Sequence, residues 1–524
     1  MSSAWGFLVG AVTASGLAFS AEAQSVLKFV PQANLGVTDN LVNSSSIVHQ
    51  HSYLIYDNLF AVDETFAPKP QMVESWAVSP DGLTYTFKLR PGLKFHDGQA
   101  VTSKDVVASV ARWAVRDSVG QQLRAAGPEP AVVDDSTFTL KLRQTSGLVI
   151  DALAKPSASA LFIRREAEAK TEPTVPIPDT IGSGPFRFVR DAYVPGSKVV
   201  YEKNPDYVPR PEPASGYAGG RMAKVDRVEW TFLPDSNSAV AALMAGEVDY
   251  YETPPIDFLA RLKANPQVVV KAHSTSGAMG LIRPNFLHPP FNSPKGRQAL
   301  AHAVNKEDYM RVAAGSDPAN WKSCWAWLVC GTPAASEAGA EKYKTKDVAK
   351  AKQLLAEIGY KGEKVVVLLA ADNQIIRSLT EVTISNLREI GLNVDVQQMD
   401  LAAVFARRFK RELPEEGGWS VFHTWGFGYE LGSATTNIVL NSPCDGTGYA
   451  GFACDEEMQK LRAQWSAEGD FEKRKAIGGA IQRRASQFIH YVPVGQFFQP
   501  VAYRTSLAGV LPVPIPVFWN IEKK

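Results

Sequence analysis

The sequence predicts an α/β protein built from more than one lobe, and three observations carry that reading. The chain has 524 residues, well past the roughly 250–300 at which a single hydrophobic core stops growing. Its C-terminal half alternates helix-period and strand-period segments, the pattern of βαβ units with helices on the faces of a parallel or mixed sheet. Its hydrophobic content of 45% and charged content of 21% are those of an ordinary globular chain, so apolar residue is plentiful enough to fill several cores.

The elements follow in order. Trp5 to Phe19 is an apolar run, followed by Ala21-Glu22-Ala23. Small residues in an A-x-A pattern after such a run predict a cleaved signal peptide over 1–23. No Lys or Arg precedes the run, and a buried N-terminal helix is the rival reading. No Cys stands at the cleavage point, which argues against a lipid anchor. No later segment reaches the roughly 18 apolar residues that a spanning helix requires. Val26 to Val30 alternates as a strand, and Gln32 to Asn40 reads as a polar loop. Trp76 and Val78 lead through the turn Ser79-Pro80-Asp81-Gly82 into a strand from Leu83 to Leu89, because Pro-Asp-Gly presets the chain reversal. Thr102 opens a helix with Asp105 at the third position, close to a capping box. Val199–Tyr201 and Arg227–Phe232 read as strands, and Ser238–Ala245 as a short helix stopped by Gly246. Asp347 caps a helix carrying Val348, Ala351, Leu354, Leu355 and Ile358, with Gly359 at its end. Val365–Leu369 is a buried strand. Ile376, Leu379, Val382, Leu387 and Ile390 mark a helix ended by Gly391, and Val394 and Val396 lie on the next strand.

Charge and motif content exclude several functions. The net charge is +1 and no basic stripe appears, so nucleic acid and anionic membrane are not expected partners. The cysteines Cys324, Cys330, Cys444 and Cys454 form two local pairs. In an oxidising compartment these read as the disulfides Cys324–Cys330 and Cys444–Cys454, and the spacing suits a zinc site poorly. No G-x-S-x-G, H-E-x-x-H, Walker or G-x-G-x-x-G motif is present, so a binding protein is expected rather than an enzyme, with no cofactor. Gly182-Ser183-Gly184 is followed by Pro185 where a phosphate-cradling helix would begin. His49 and His51 are placed to share one face of a strand, with no Cys or carboxylate cluster to make them metal ligands. Trp419, Phe422, His423, Trp425, Phe427 and Tyr429 crowd one segment broken by Gly426 and Gly428; this is either hydrophobic core or the wall of an apolar ligand pocket.

From Pro70 to Trp113 the residues carry a resemblance. Met72-Val73-Glu74-Ser75-Trp76, Ser79-Pro80-Asp81-Gly82-Leu83-Thr84-Tyr85-Thr86-Phe87, Leu89-Arg90-Pro91-Gly92-Leu93-Lys94-Phe95-His96-Asp97-Gly98 and Thr102-Ser103-Lys104-Asp105-Val106 closely resemble the signature of the family 5 extracellular solute-binding proteins, the peptide/nickel group of ABC importers. Gly182-Ser183-Gly184-Pro185-Phe186, Asn204-Pro205-Asp206-Tyr207, Gly246-Glu247-Val248-Asp249, Pro289-Pro290-Phe291-Asn292, Arg297-Gln298-Ala299-Leu300 and Tyr491-Val492-Pro493-Val494 match later landmarks in order. The resemblance implies a two-lobed periplasmic binding protein fold of type II with an additional inserted domain. Lobe I would comprise 24–48, 182–275 and 492–524, the inserted domain 49–181 and lobe III 276–491. Asp81, Gly82, His96 and Asp97 would be fold residues. The solute would lie between lobes I and III, which close by a hinge motion, and the loaded, monomeric protein would deliver it to the permease subunits of an ABC transporter.

Dipeptide-binding relatives hold the peptide amine with an Asp after a Trp-containing strand and the carboxylate with an Arg just after another strand. Here Trp425-Gly426-Phe427-Gly428-Tyr429 has no Asp at that place, with Glu430 offset, and Ala371-Asp372-Asn373 has no Arg, with Arg377 nearby. A buried charged group requires a partner, so the resemblance implies a less charged or aromatic-containing solute, with short peptides the nearest rival. The expected contacts are Trp425, Phe427 and Tyr429 as an aromatic wall, His423 and Asn285 from lobe III, Asn34 from lobe I, and Arg283 for an anionic group. The alternatives are a metal or metallophore receptor, a periplasmic hydrolase on the same scaffold, and a chaperone-like protein without a small ligand.

Overall fold

The computed structural model describes residues 1, 24–127, 130–156, 159–177, 181–371 and 373–524, so the expected leader beyond Met1 lies outside the described residues. Two large sheets organise the chain. The first has seven strands in the order Val268–Ala272, Pro500–Arg504, Tyr250–Tyr251, Val26–Val30, Arg227–Thr231, Lys198–Lys203 and Phe186–Phe188. Val26–Val30 runs parallel to both of its neighbours, and the remaining pairs are antiparallel. The second has six strands in the order Trp321–Lys322, Val492–Phe497, Ala278–Pro284, Val421–Phe427, Lys364–Ala370 and Asn393–Met399. Lys364–Ala370 is parallel to both neighbours, as the βαβ pattern through the helix Gln374–Glu389 requires. A smaller antiparallel sheet, Val73–Val78, Thr84–Leu89, Thr137–Lys141 and Ala131–Val132, carries the Pro-Asp-Gly hairpin.

Local sequence accounts for the element ends. The Thr102 amide donates to the Asp105 carboxylate at 2.7 Å, fixing the start of Ser103–Arg116. Asp347 and Asn373 accept from backbone amides at the starts of Val348–Glu357 and Gln374–Glu389, satisfying N–H groups that have no partner within the helix. Gly182 is needed for close approach rather than for phosphate: a Cβ there would lie 1.7 Å from the Ile55 carbonyl oxygen. His96 locks the same crossing. Its Nδ1 accepts from the Gly182 amide at 3.2 Å, which leaves Nε2 to donate to the Gly184 carbonyl at 3.2 Å. The signature histidine is thus a tie between the small sheet's segment and the first sheet's segment.

Two expectations change. His49 and His51 lie on a helix, Ser46–Ile55, not on a strand, because the buried run Ile47–Ile55 packs all round. The strand Val492–Phe497 pairs with Ala278–Pro284 in the second sheet, so the last crossing falls after Phe497 rather than at 491/492. The cores agree with this. Phe497 packs with Ala278, Met279 and Val494 in the second body, whereas Val501 and Tyr503 pack with Leu27, Phe29 and Trp230 in the first. The small sheet shares the first sheet's core: Phe87, Phe138, Val110 and Trp113 belong to the same apolar cluster. The molecule therefore has an N-terminal body and a second body over 278–497, joined by two adjacent segments that meet where the His273 amide donates to the Gln499 carbonyl at 2.9 Å.

Candidate functional site

A cleft runs between the two bodies and widens into two adjoining chambers. The first, of about 360 Å³, is walled on the N-terminal side by Ser44, Arg116, Asp117, Val119, Lys155 and Ser159, and on the other by Leu281, Thr424, Trp425, Gly426, Glu430, Tyr449 and their neighbours. Arg116 ends the helix Ser103–Arg116 and its Nε donates to the Leu41 carbonyl at 3.4 Å. Asp117 accepts from the Val119 and Gly120 amides, each at 2.9 Å, which caps the following helix and holds the carboxylate at the chamber edge. The Lys155 ammonium pairs with the same carboxylate, so that couple is internally neutralised. Arg116 and Glu430 stand on facing walls of the chamber. Trp425 stands at the C-terminal end of its strand, where open α/β sheets present ligand sites; its ring meets Phe427 edge-on at 5.2 Å.

The second chamber, of about 480 Å³, lies between the segment 119–152 and the region of the helix Glu456–Ala467. Val119 belongs to both linings, and Thr435 of the second adjoins Thr436 of the first. Contacts between the bodies close the cleft at both ends. On the aromatic side, Tyr429 stacks on Phe66 at 6.2 Å and on Phe427 at 5.4 Å. On the other, Arg474 pairs with Asp151 at 2.7 Å and donates to the Gly147 carbonyl at 2.9 Å, while the Gly147 amide donates to the Ser466 carbonyl at 3.0 Å.

The expected site residues separate into distinct environments. Trp425 lines the first chamber; Phe427 and Tyr429 form the stack that abuts Phe66. Asn34 is exposed on a loop beside the Gly196 turn and lines a small crevice within the N-terminal body. Three others are corrected to framework. Arg283 is fully buried, and its guanidinium donates to the carbonyls of Ala450, Val439, His490 and Tyr449; burial pushes it down to about 10. Asn285 donates to the Trp419 carbonyl at 2.9 Å and accepts from the Leu287 amide at 3.0 Å. His423 lies beneath the helix Gln374–Glu389, bonded to Thr383 at 2.7 Å, and burial pushes it down to about 3, so it is neutral. Arg377 pairs loosely with Glu381 at 3.9 Å on an exposed helix face, and Asp372 lies outside the described residues. Sequence reasoning missed Arg116, Lys155 and the second chamber's Arg462. Each sits on a polar helix or loop face, where a cleft residue and a solvated one have the same pattern.

Both disulfides are formed, Cys324–Cys330 and Cys444–Cys454. Cys324, Cys330 and Glu337 are close enough to hold a metal, but the two sulfurs are spent on each other. His49 accepts from the Ser159 amide at 3.0 Å and His51 shares a bond with the Tyr201 hydroxyl at 2.8 Å, so the two rings serve the fold separately.

Residues 67–442 match the family model described as bacterial extracellular solute-binding proteins, family 5 Middle. A protein of Sinorhizobium fredii named as a probable peptide ABC transporter periplasmic-binding protein is 38% identical over 493 residues, covering 94% of this chain and 92% of that one. A glutathione-binding protein of Pectobacterium atrosepticum is 29% identical over 378 residues, covering 70% and 68%. Among solved structures, the agropinic acid complex of the binding protein AgaA from A. tumefaciens R10 superposes with a TM-score of 0.75 at 24% identity, covering 95% of this chain and 99% of that one. The periplasmic DppA of Helicobacter pylori with the peptide STSA gives 0.74 at 20% identity, covering 95% and 98%. Among the described residues no helix is long and apolar enough to cross a membrane.

Proposed function

This chain belongs to the family 5 extracellular solute-binding proteins of ABC importers, and on that premise we propose that it captures a charged, peptide-like solute in the first chamber and presents it to its permease as a periplasmic monomer freed of residues 1–23. The observation that carries the reading is a partly open cavity of about 360 Å³ lined from both bodies, of the size small-molecule sites take. Two connecting segments leave the bodies free to part and close around an occupant. Binding energy then goes into the closed form that a permease can recognise.

The chamber revises the solute class expected from the missing clamp residues. Arg116 and Glu430 stand on opposite walls, so a solute with both a negative and a positive group is matched by the pair, and Trp425 and Tyr449 offer apolar faces between them. Short peptides and amino-acid conjugates have that chemistry, in keeping with the relatives' names.

A thermal-shift screen tests this on the secreted protein, whose N-terminus is expected just after Ala23. The panel holds free and C-terminally amidated di- to pentapeptides, glutathione, sugars, sugar–amino acid conjugates, and nickel with and without chelators. A solute at 100 times its Kd adds about 2.7 kcal/mol. Stabilisation by free peptides or conjugates, weakened about 10-fold or more by Arg116→Ala, is the expected result. A shift with nickel alone would move the assignment to a metal receptor, and a panel without any shift would remove the peptide-like class.

A further inference from the structure

The second chamber is unlike the first in its electrostatics. Arg462 is the one charged residue of its described lining; the rest are amides, hydroxyls and small or apolar side chains, among them Gln122, Gln144, Asn441 and Gln459. The Arg462 guanidinium is half-buried and makes bonds only to neutral oxygens: Nε to the Ala434 carbonyl at 2.9 Å, Nη1 to Asn441 Oδ1 at 2.5 Å and Gln459 Oε1 at 3.2 Å, and Nη2 to the Thr435 carbonyl at 3.4 Å. Among the described residues no carboxylate pairs with it. Burial lowers its proton affinity to about 10, which leaves it a cation at any physiological pH. A cation taken partly out of water with no counter-charge costs free energy that an anion in the adjoining cavity would offset.

A second, independent feature points the same way. The Thr435 hydroxyl is buried in the same wall, without a hydrogen-bond partner among the described residues. Native proteins seldom leave such a group unsatisfied, because it forfeits its hydration with nothing in return. The Asn441 side-chain amide adds donors of its own: its oxygen serves Arg462 and Gln459, whereas its nitrogen has no bond to the protein among the described residues. A hydroxyl, an amide and the one Arg462 Nη2 N–H left over from its bonds to the protein, backed by the guanidinium charge, form a donor set suited to a carboxylate, whose two oxygens accept several bonds at once.

We propose that the second chamber is an anion subsite of the solute cleft, in which Arg462, Thr435 and Asn441 hold a carboxylate at the far end of an elongated solute. The solute's other end lies in the first chamber, which the second joins at Val119 and at the Thr435–Thr436 step. The elongated-solute part rests on the solute-binding reading above; the anion subsite stands on its own. The Arg474–Asp151 pair and the Gly147–Ser466 bond bridge the two bodies at the rim beyond the second chamber.

Glutarate is the probe, with glutaramide as its uncharged counterpart, and the readout is the Arg462 Nε–H signal in ¹H–¹⁵N spectra of the full secreted protein, assigned by its loss in Arg462→Met. Glutarate should move that signal saturably and glutaramide should bind at least 10-fold more weakly. Arg462→Lys keeps a charge and loses the planar fork, and should weaken glutarate about 10- to 100-fold by calorimetry. Thr435→Val should weaken it about 3- to 10-fold while leaving the melting temperature unchanged or raised, since the hydroxyl it removes bonds to nothing among the described residues. Equal response to glutarate and glutaramide, glutarate binding unaffected by Arg462→Lys, or a destabilised Thr435→Val would each overturn the subsite. The outcomes separate the two proposals: glutarate binding at Arg462 with no peptide-panel response sinks the peptide-like solute and keeps the subsite, whereas peptide binding unaffected by the Arg462 and Thr435 changes does the reverse.

Discussion

The two bodies of this protein bury arginines in different ways. In the N-terminal body, buried guanidinium groups meet buried carboxylates: Arg112 and Arg164 share Asp39 at 2.9 and 3.3 Å, and Arg221 holds Asp57 at 2.8 Å. In the second body, Arg283 is capped by backbone carbonyls alone, and Arg297 by the carbonyls of Phe488, Phe291 and Asn292 with its charge over the Phe286 and Phe488 rings. An arginine closed by a carboxylate of its own, as Arg221 is by Asp57, has little field left over, and the two that share Asp39 keep half of theirs. One closed by carbonyl dipoles keeps its net charge. Deep in the core that charge serves the fold, because carbonyls from separate loops converge on one planar group. At the cleft wall, where Arg462 repeats the arrangement, the same leftover charge becomes a means of recognition.

The largest test of this contrast is Asp39→Ala. Burial alone would raise the Asp39 carboxyl, but Arg164 and Arg112 outweigh it and hold the group below its ordinary range. Removing it strands two buried cations, so urea unfolding should lose about 3–5 kcal/mol. Arg283→Met comes next. It leaves several carbonyls without their donor but creates no unpaired charge, and should cost about 2–3 kcal/mol. A larger loss from Arg283→Met than from Asp39→Ala would break the comparison.

The smallest effect concerns the exception in the N-terminal body. Glu252 is buried, pairs with no cation among the described residues, and accepts from the Gln32 amide, the Gln32 side chain and the Gln50 side chain at 2.8, 3.0 and 2.6 Å. Burial, only partly offset by these bonds, pushes it up to about 7 from 4.5. The folded state therefore holds a proton that the unfolded state has released between those values, and this contribution to stability is lost as pH rises from about 4.5 to about 7. Between pH 5 and pH 8 the stability of the parent should fall by about 2 kcal/mol relative to Glu252→Gln. A difference that is flat with pH would show that Glu252 is ionised in the fold like its paired counterparts.

Much of the architecture was legible in the sequence because it is set by near neighbours. The Thr102–Asp105 cap, the Asp347 cap, the Pro-Asp-Gly hairpin and the strand–helix–strand run from Lys364 to Met399 each depend on spacing over a few residues. The two short-range cysteine pairs are local in the same sense. The ordered landmarks from Met72 to Val494 carried the family and with it the two-body plan. The helix holding His49 and His51 was misread because a segment buried on every side shows neither helical nor strand periodicity.

The cleft was not legible in that way. Trp419, Phe422, His423 and Trp425 are alike in the sequence, yet the first three are core and only Trp425 reaches a chamber. The difference is the position along one strand: pairing with Ala278–Pro284 puts its middle under the helix Gln374–Glu389 and its end at the opening between the bodies. Arg283 and Arg462 are likewise both arginines that among the described residues pair with no carboxylate, although Glu456 and Glu457 precede Arg462 closely in sequence. What separates a structural cation from one facing a cavity is which segments come to lie around it: carbonyls more than a hundred residues away close over Arg283, whereas Arg462 faces a chamber whose far wall comes from the other body. The sequence alone determined most of the elements, the caps set by near neighbours, the crosslinks and the family. Tertiary structure decided which polar groups are satisfied by the chain itself and which are left facing a cavity, because hydrogen bonding and desolvation depend on distance in space rather than along the chain.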